Sequence, residues 1–224
     1  MSNREFDELK ELYLNYKIPF WMNTRAETIN EYRAKGLEEM NMLRMNIGIE
    51  HGNYEYRRNY LKRNVKDEVQ IRAFEIASEH KYTSCANSII GMPDETRELI
   101  FDTIKFVRKL PKNIDATGAF IFAPYHGTPL RTLAIEKGYL NDDEICSLSN
   151  TSESMLRMPT ISKDEIQGMA KVFSLYVKFP ENRWDEIKIA EKSTTEGEKM
   201  FKKLGEEFDR TYRTYSASEL DLHD

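Results

Sequence analysis

Several short runs in this 224-residue chain place side chains with ligand-binding chemistry beside turn residues. The first is Gly48-Ile49-Glu50-His51-Gly52, a carboxylate where an apolar run meets a glycine turn. Such a carboxylate either accepts hydrogen bonds from ligand hydroxyls or is held in a structural salt bridge. Downstream lies Arg57-Arg58-Asn59-Tyr60-Leu61-Lys62-Arg63. This is either a solvated basic face or the source of a guanidinium fork for a ligand carboxylate or phosphate. The second run is Ala86-Asn87-Ser88-Ile89-Ile90-Gly91-Met92-Pro93-Asp94-Glu95-Thr96. Asn87, Ile89 and Gly91 alternate, so they share one strand face, and Gly91 lets a ligand approach the backbone. An amide among apolar neighbours needs a partner, either a nearby residue or a bound hydroxyl. In the third run Pro124 and Gly127 bracket a turn that presents Tyr125 and His126. His126 is an acid–base candidate without a visible partner. The fourth, Asn23-Thr24-Arg25-Ala26-Glu27, reads as a mutual ion pair of Arg25 with Glu27.

Alternating elements must position these runs. Apolar spacing predicts a helix over 4–17, then strands over 18–25, 42–50, 82–90 and 116–123. Helices are expected between them over 28–41, over 54–80 with a break near Asn64-Val65, and over 94–110 with Asp94 or Thr96 as cap. A further helix is punctuated by Thr128 as cap, Pro129 at its first position and Gly138 at its stop. Strand–helix alternation implies parallel pairing through right-handed crossovers, and sites in such folds form at the strand ends. After about residue 140 the rhythm stops. Ser162-Lys163-Asp164-Glu165 is a capping box, and Ile166, Met169, Ala170, Phe173 and Val177 form an apolar stripe expected to pack on the α/β body. Residues 185–210 read as charged helix and 211–224 as a disordered tail. The fold class is therefore α/β, a partial (β/α) barrel of about four parallel strands over 1–140, followed by a C-terminal helical segment over 141–210.

The bulk composition bounds the function. A net charge of -5 argues against nucleic acid as the main partner. No apolar run reaches the ~20 residues of a membrane span. The charged N-terminus does not resemble a secretory signal, so a cytoplasmic location is expected. Cys85 and Cys146 are the two cysteines. A disulfide between them is unsupported, and zinc and iron–sulfur sites usually take three or four protein ligands, so no metal site is assigned.

Taken together and in order, these runs resemble the second half of the barrel of radical S-adenosylmethionine (SAM) enzymes. The nearest likeness is to those often preceded by a cobalamin-binding domain. That group shows "GIExGN" before "RRxxLxR", then "NxIIGxPxET", then "F.PYxGTxL" leading to a helix that closes at Gly-Tyr. The matching residues are Gly48 to Asn53, Arg57 to Arg63, Asn87 to Thr96, and Phe122 to Leu130 with Gly138-Tyr139. The likeness covers roughly 18–140. It implies SAM bound across the strand ends, with Glu50 and Asn87 at the ribose hydroxyls. Arg63 would meet the methionine carboxylate, with Arg57 as the fallback. The segment Ser88, Ile89, Ile90 and Gly91 would lie beside the adenine.

The departures are equally informative. The CxxxCxxC loop that ligates the family's 4Fe-4S cluster is missing, as is the glycine-rich motif that binds the SAM amino group. Truncation upstream explains both absences. The expectation is a fragment of a radical SAM enzyme that, when complete with its cluster, generates a 5′-deoxyadenosyl radical and acts on an unidentified small molecule. An upstream cobalamin domain would suggest methyl transfer or rearrangement. The chain by itself is expected to be inactive. The alternative is a non-catalytic α/β module that binds a nucleotide or a partner. A flavodoxin-like enzyme is disfavoured, since no phosphate loop follows any strand.

Overall fold

The computed structural model describes residues 1–115, 118–146 and 153–212. Strands β1 (Phe20–Arg25), β2 (Met42–Glu50), β3 (Thr83–Ile90) and β4 (Phe120–Ile121) form one sheet in that order, every pair parallel. Helices α2 (Glu31–Glu39), α3 (Tyr54–Asn59), α4 (Asp67–Ser78) and α5 (Arg97–Val107) fill the crossovers, with α1 (Asn3–Leu14) before the sheet and α6 (Pro129–Glu136) after it. This is the expected partial α/β barrel, and no helix among the described residues is long and apolar enough to cross a membrane.

The two faces of the sheet differ in chemistry because side chains alternate along a strand. On β2, Met45, Ile47 and Ile49 are fully buried beneath the helices. Asn46, Gly48 and Glu50 occupy the other, more open face. The registers Asn23↔Asn46, Arg25↔Gly48 and Gly48↔Asn87 carry this open face across three strands.

Several boundaries differ from the sequence expectation, each for a local reason. β1 begins at Phe20, and the helix predicted from residue 28 is preceded by a 3-10 turn, Ala26–Thr28. The predicted break near Asn64-Val65 separates α3 from α4. Thr96, not Asp94, caps α5, accepting from the Leu99 N–H, while Asp94 sits at φ +62 in the preceding turn. β4 is two residues long instead of 116–123, of which 116 and 117 lie outside the described residues. Thr128 precedes α6, but its hydroxyl donates back to the Tyr125 carbonyl instead of capping. α1 buries only Phe6, whose ring lies over Gly36 of α2, while Leu9, Leu12 and Tyr16 of its predicted stripe stay exposed.

Beyond the sheet, the capping box of Ser162 and Glu165 starts α7 (Lys163–Lys178) as expected. Its stripe of Ile166, Met169, Phe173 and Val177 is buried, and α7 packs against α5 and β4. Arg108 of the α5 end donates to the carbonyls of Tyr176, Val177 and Phe179, satisfying acceptors that the end of α7 leaves free. The predicted 185–210 helix is two, α8 (Trp184–Ala190) and α9 (Thr195–Thr211). Most of the tail expected to be disordered, 213–224, lies outside the described residues.

Candidate functional site

The C-terminal ends of the strands open into a cavity of about 770 Å³. One wall is polar, built by Asn23, Asn46, Glu50 and Asn87; the other is apolar and aromatic, built by residues such as Ile89, Phe120, Phe122 and Tyr125. A site with one polar and one flat apolar wall suits a ligand that carries both hydroxyls and a ring.

Glu50 ends β2 at φ +66, in the left-handed region, and its carboxylate turns back over the sheet. It comes to rest above Gly48, where a Cβ would stand 2.5 Å from Oε1. Arg63 fixes it there: Nη1 donates to Glu50 Oε1 at 3.1 Å and Nη2 to Glu27 Oε2 at 3.3 Å. Burial pushes the Glu50 carboxyl above the ordinary carboxylate range, and the nearby Arg63 and Arg25 charges offset this only in part. Asn46 Nδ2 donates to Asn23 Oδ1 at 2.9 Å, tying β2 to β1 across the floor.

The candidate residues separate into groups. Glu50, Asn87 and Ile89 line the cavity, with Arg63 beside Glu50. Ser88 faces the opposite side, fully buried, with a hydroxyl that has no hydrogen-bond partner. Gly91, at φ +79, directly follows β3, and a Cβ there would stand 2.9 Å from Ile166 Cγ2 of α7. Arg57, the fallback clamp, is fully buried; it donates to the His51 and Val65 carbonyls and pairs with Asp67. It is therefore committed to joining α3 to α4, because a buried guanidinium must be surrounded by acceptors. Arg25 and Glu27 do not form the expected mutual pair: Glu27 pairs with Arg63 and Arg25 stands near Glu50. His126 is exposed on its turn.

Sequence reading missed the residues beneath the site. His51 and Glu95 are both fully buried, 3.0 Å apart. Glu95 Oε2 accepts from the Gly91 and Met92 N–H groups, holding the turn after β3. The signal was present in two forms, a histidine directly after Glu50 and a glutamate one turn after Gly91, but nothing in the sequence joined them.

The two cysteines do not fit an iron–sulfur cluster. Cys85 is buried in β3 with its thiol pushed up to about 11 by burial, and two thiols fall short of a cluster's ligand set. Among the described residues no group of three or more His, Cys, Asp or Glu side chains could hold a metal ion. The polar wall, by contrast, fits the hydroxyls of a nucleoside.

Comparison with known proteins agrees with this geometry. Residues 1–107 match the Radical SAM superfamily. An uncharacterized methyltransferase of Pyrococcus horikoshii is 32% identical over 123 residues, which cover 55% of this chain and 26% of that protein. The chain thus spans about a quarter of the curated relative it matches. Among solved structures, the archaeal Elp3 of Methanocaldococcus infernus is similar in fold, with TM-score 0.53 and 13% identity over 92% of this chain and 46% of that one. So is OxsB, a cobalamin-dependent SAM radical enzyme solved with aqua-cobalamin and SAM, with TM-score 0.53 and 13% identity over 91% of this chain and 35% of that one. Over residues 1–107 the chain is thus similar to the radical SAM superfamily, and it shares a parallel α/β fold with the solved neighbours.

Proposed function

We propose that the strand-end cavity is the adenosyl side of a SAM site, and that the whole protein is a radical SAM enzyme acting on a small molecule. The observation that carries this reading is the Glu50 carboxylate, held by Arg63 over Gly48 and facing the same cavity as Asn87. In this reading Glu50 and Asn87 accept from and donate to the ribose hydroxyls, and Ile89 lies against the adenine together with the backbone of Ser88 and Gly91. The methionine carboxylate takes the place of Glu27 on Arg63, since Glu27 is the more exposed partner, bound at 3.3 Å. A fork with two donor edges can hold Glu50 on one and the ligand on the other.

SAM, once bound beside a reduced 4Fe-4S cluster, supplies the 5′-deoxyadenosyl radical of this superfamily. The cluster ligands would have to be residues other than Cys85 and Cys146, and no step is assigned to this chain's own side chains. The methyltransferase relative and the cobalamin-bound neighbour make methyl transfer or rearrangement with cobalamin the form of chemistry we favour. A cytoplasmic location and the absence of nucleic-acid partners remain part of this proposal.

Calorimetry with SAM and S-adenosylhomocysteine tests it. Binding is expected for the wild-type chain and is expected to weaken in Glu50→Ala and Asn87→Ala; binding that survives both substitutions removes the proposed ribose contacts. Anaerobic iron–sulfur reconstitution is expected to give no stable 4Fe-4S spectrum from this chain. The buried Cys85 favours a second reading for the chain by itself, a non-catalytic module that binds a nucleotide or a partner through the same strand ends.

A further inference from the structure

Three aromatic rings are stacked beside the cavity, the outermost of them, Tyr60, lining it. His51 lies on Tyr56 with centroids 4.3 Å apart, and Tyr56 on Tyr60 at 4.5 Å with planes 11° apart. All come from the turn after β2 and from α3 and its end. Each ring has a polar tip aimed at a different residue of the turn after β3. His51 Nε2 meets Glu95 Oε1 at 3.0 Å, Tyr56 donates to the Pro93 carbonyl at 2.6 Å, and Tyr60 donates to Asp94 Oδ2 at 2.9 Å. The Asn53 N–H donates to His51 Nδ1 at 3.0 Å, so that nitrogen is an acceptor and the proton of the ring lies on Nε2, toward Glu95. Glu95 passes the connection on to the Gly91 and Met92 amides.

The residues joined in this way include three with left-handed backbones: Glu50 at φ +66, directly before His51, Gly91 at +79 and Asp94 at +62. Non-glycine residues persist in such conformations only where their surroundings over-determine them. The ring stack and its hydrogen bonds supply part of these surroundings; Arg63 also holds Glu50, and Tyr139 and Lys137 also hold Asp94.

We propose that the His51–Tyr56–Tyr60 stack is a positioning device that locks the Glu50 turn and the Gly91–Glu95 turn into one rigid wall. The two strand ends are thereby preset in register before a ligand arrives, and a ligand that bridges them meets no cost of ordering. The ligand part of this inference rests on the SAM reading above; the mechanical part does not.

Amide hydrogen exchange, together with S-adenosylhomocysteine calorimetry, tests both parts. Tyr56→Phe keeps the stacked ring and deletes one hydrogen bond, and His51→Phe deletes the link to Glu95. In Tyr56→Phe the Gly91 and Met92 amides should exchange roughly tenfold faster, as expected for one net hydrogen bond lost from a local opening, while Ile47 of β2 keeps its rate. S-adenosylhomocysteine affinity should fall by a similar factor with an unchanged circular-dichroism spectrum. Unchanged exchange at Gly91 and Met92, or equal acceleration at Ile47, overturns the positioning role, because the rings are then only packing. If the wild-type chain does not bind S-adenosylhomocysteine, the SAM reading fails, and the exchange rates still decide the stack. Should His51→Phe not fold, Tyr56→Phe alone decides.

Discussion

The carboxylate of Glu50 occupies the space that a side chain on Gly48 would need, with Oε1 2.5 Å from the position of a Cβ and Arg63 Nη1 3.6 Å from it. Glycine at 48 is therefore a requirement of the site before it is one of the strand. In Gly48→Ala the flexible carboxylate must swing away. Stability should change by no more than about 1 kcal/mol, while S-adenosylhomocysteine affinity should drop as far as in Glu50→Ala. Paired urea melts and calorimetry measure the two effects separately.

Glu50 should also give the chain a pH signature. Burial raises its folded-state pKa above the unfolded value, so ionising it costs the folded state free energy. Its contribution to stability is present at low pH and is lost as pH rises from the ordinary carboxylate range through the raised value. Urea melts across that window should show a slope that flattens in Glu50→Gln. Ligand affinity should move the other way, strengthening as the carboxylate ionises and becomes a pure acceptor.

Glu27 competes for the guanidinium that the proposed ligand carboxylate needs. Glu27→Gln should raise the affinity for S-adenosylhomocysteine several-fold, within the range of one exposed ion pair. It should leave 5′-methylthioadenosine, which lacks the carboxylate, unaffected. Equal changes for both ligands would show that Arg63 is not the clamp.

Gly91→Ala meets two obstacles, a backbone at φ +79 and Ile166 Cγ2 at 2.9 Å. The loss should be about 1–3 kcal/mol in thermal or urea unfolding. Removing the obstructing atom in Gly91→Ala/Ile166→Ala should cost less than the sum of the two single losses, and that coupling would show that α7 sets the height of the turn.

The thiols should differ in reactivity. Cys85 is buried, and burial pushes it up to about 11, so it should resist iodoacetamide at pH 8 in the folded chain. Cys146, half-buried, should be alkylated first. Peptide mass spectrometry reads the order directly, and unfolding with urea should erase it.

The sheet was legible in the sequence because short apolar runs alternate with helical ones and three of the four end in glycine-bearing turns; the resemblance then singled out Glu50, Asn87 and Ile89, which line the cavity. What escaped were contacts between residues far apart in the chain. Nothing local distinguishes Arg25 from Arg63 as the partner of Glu27, and the two candidates differ only in where α3 delivers its final turn. Arg57 and Arg63 look alike in a basic run, yet one is fully buried among carbonyls and the other pairs with Glu50 of the cavity wall. β4 shrank to two residues because Ile89 and Ile90 alone give it ladder partners. The stripe on α1 suggested burial, but only Phe6 finds a receptive surface, at Gly36.

The sheet order β1-β2-β3-β4 repeats the order of the chain. Among the described strands every neighbour in space is thus the next strand in sequence, joined by one crossover connection, so none of these pairings waits for a distant segment. Loop-closure entropy is met in small instalments, which favours fast folding for a parallel sheet. Each strand can add to its predecessor as the polypeptide leaves the ribosome, so the strand pairing that carries Glu50 can form before the helices after β4 have been synthesised.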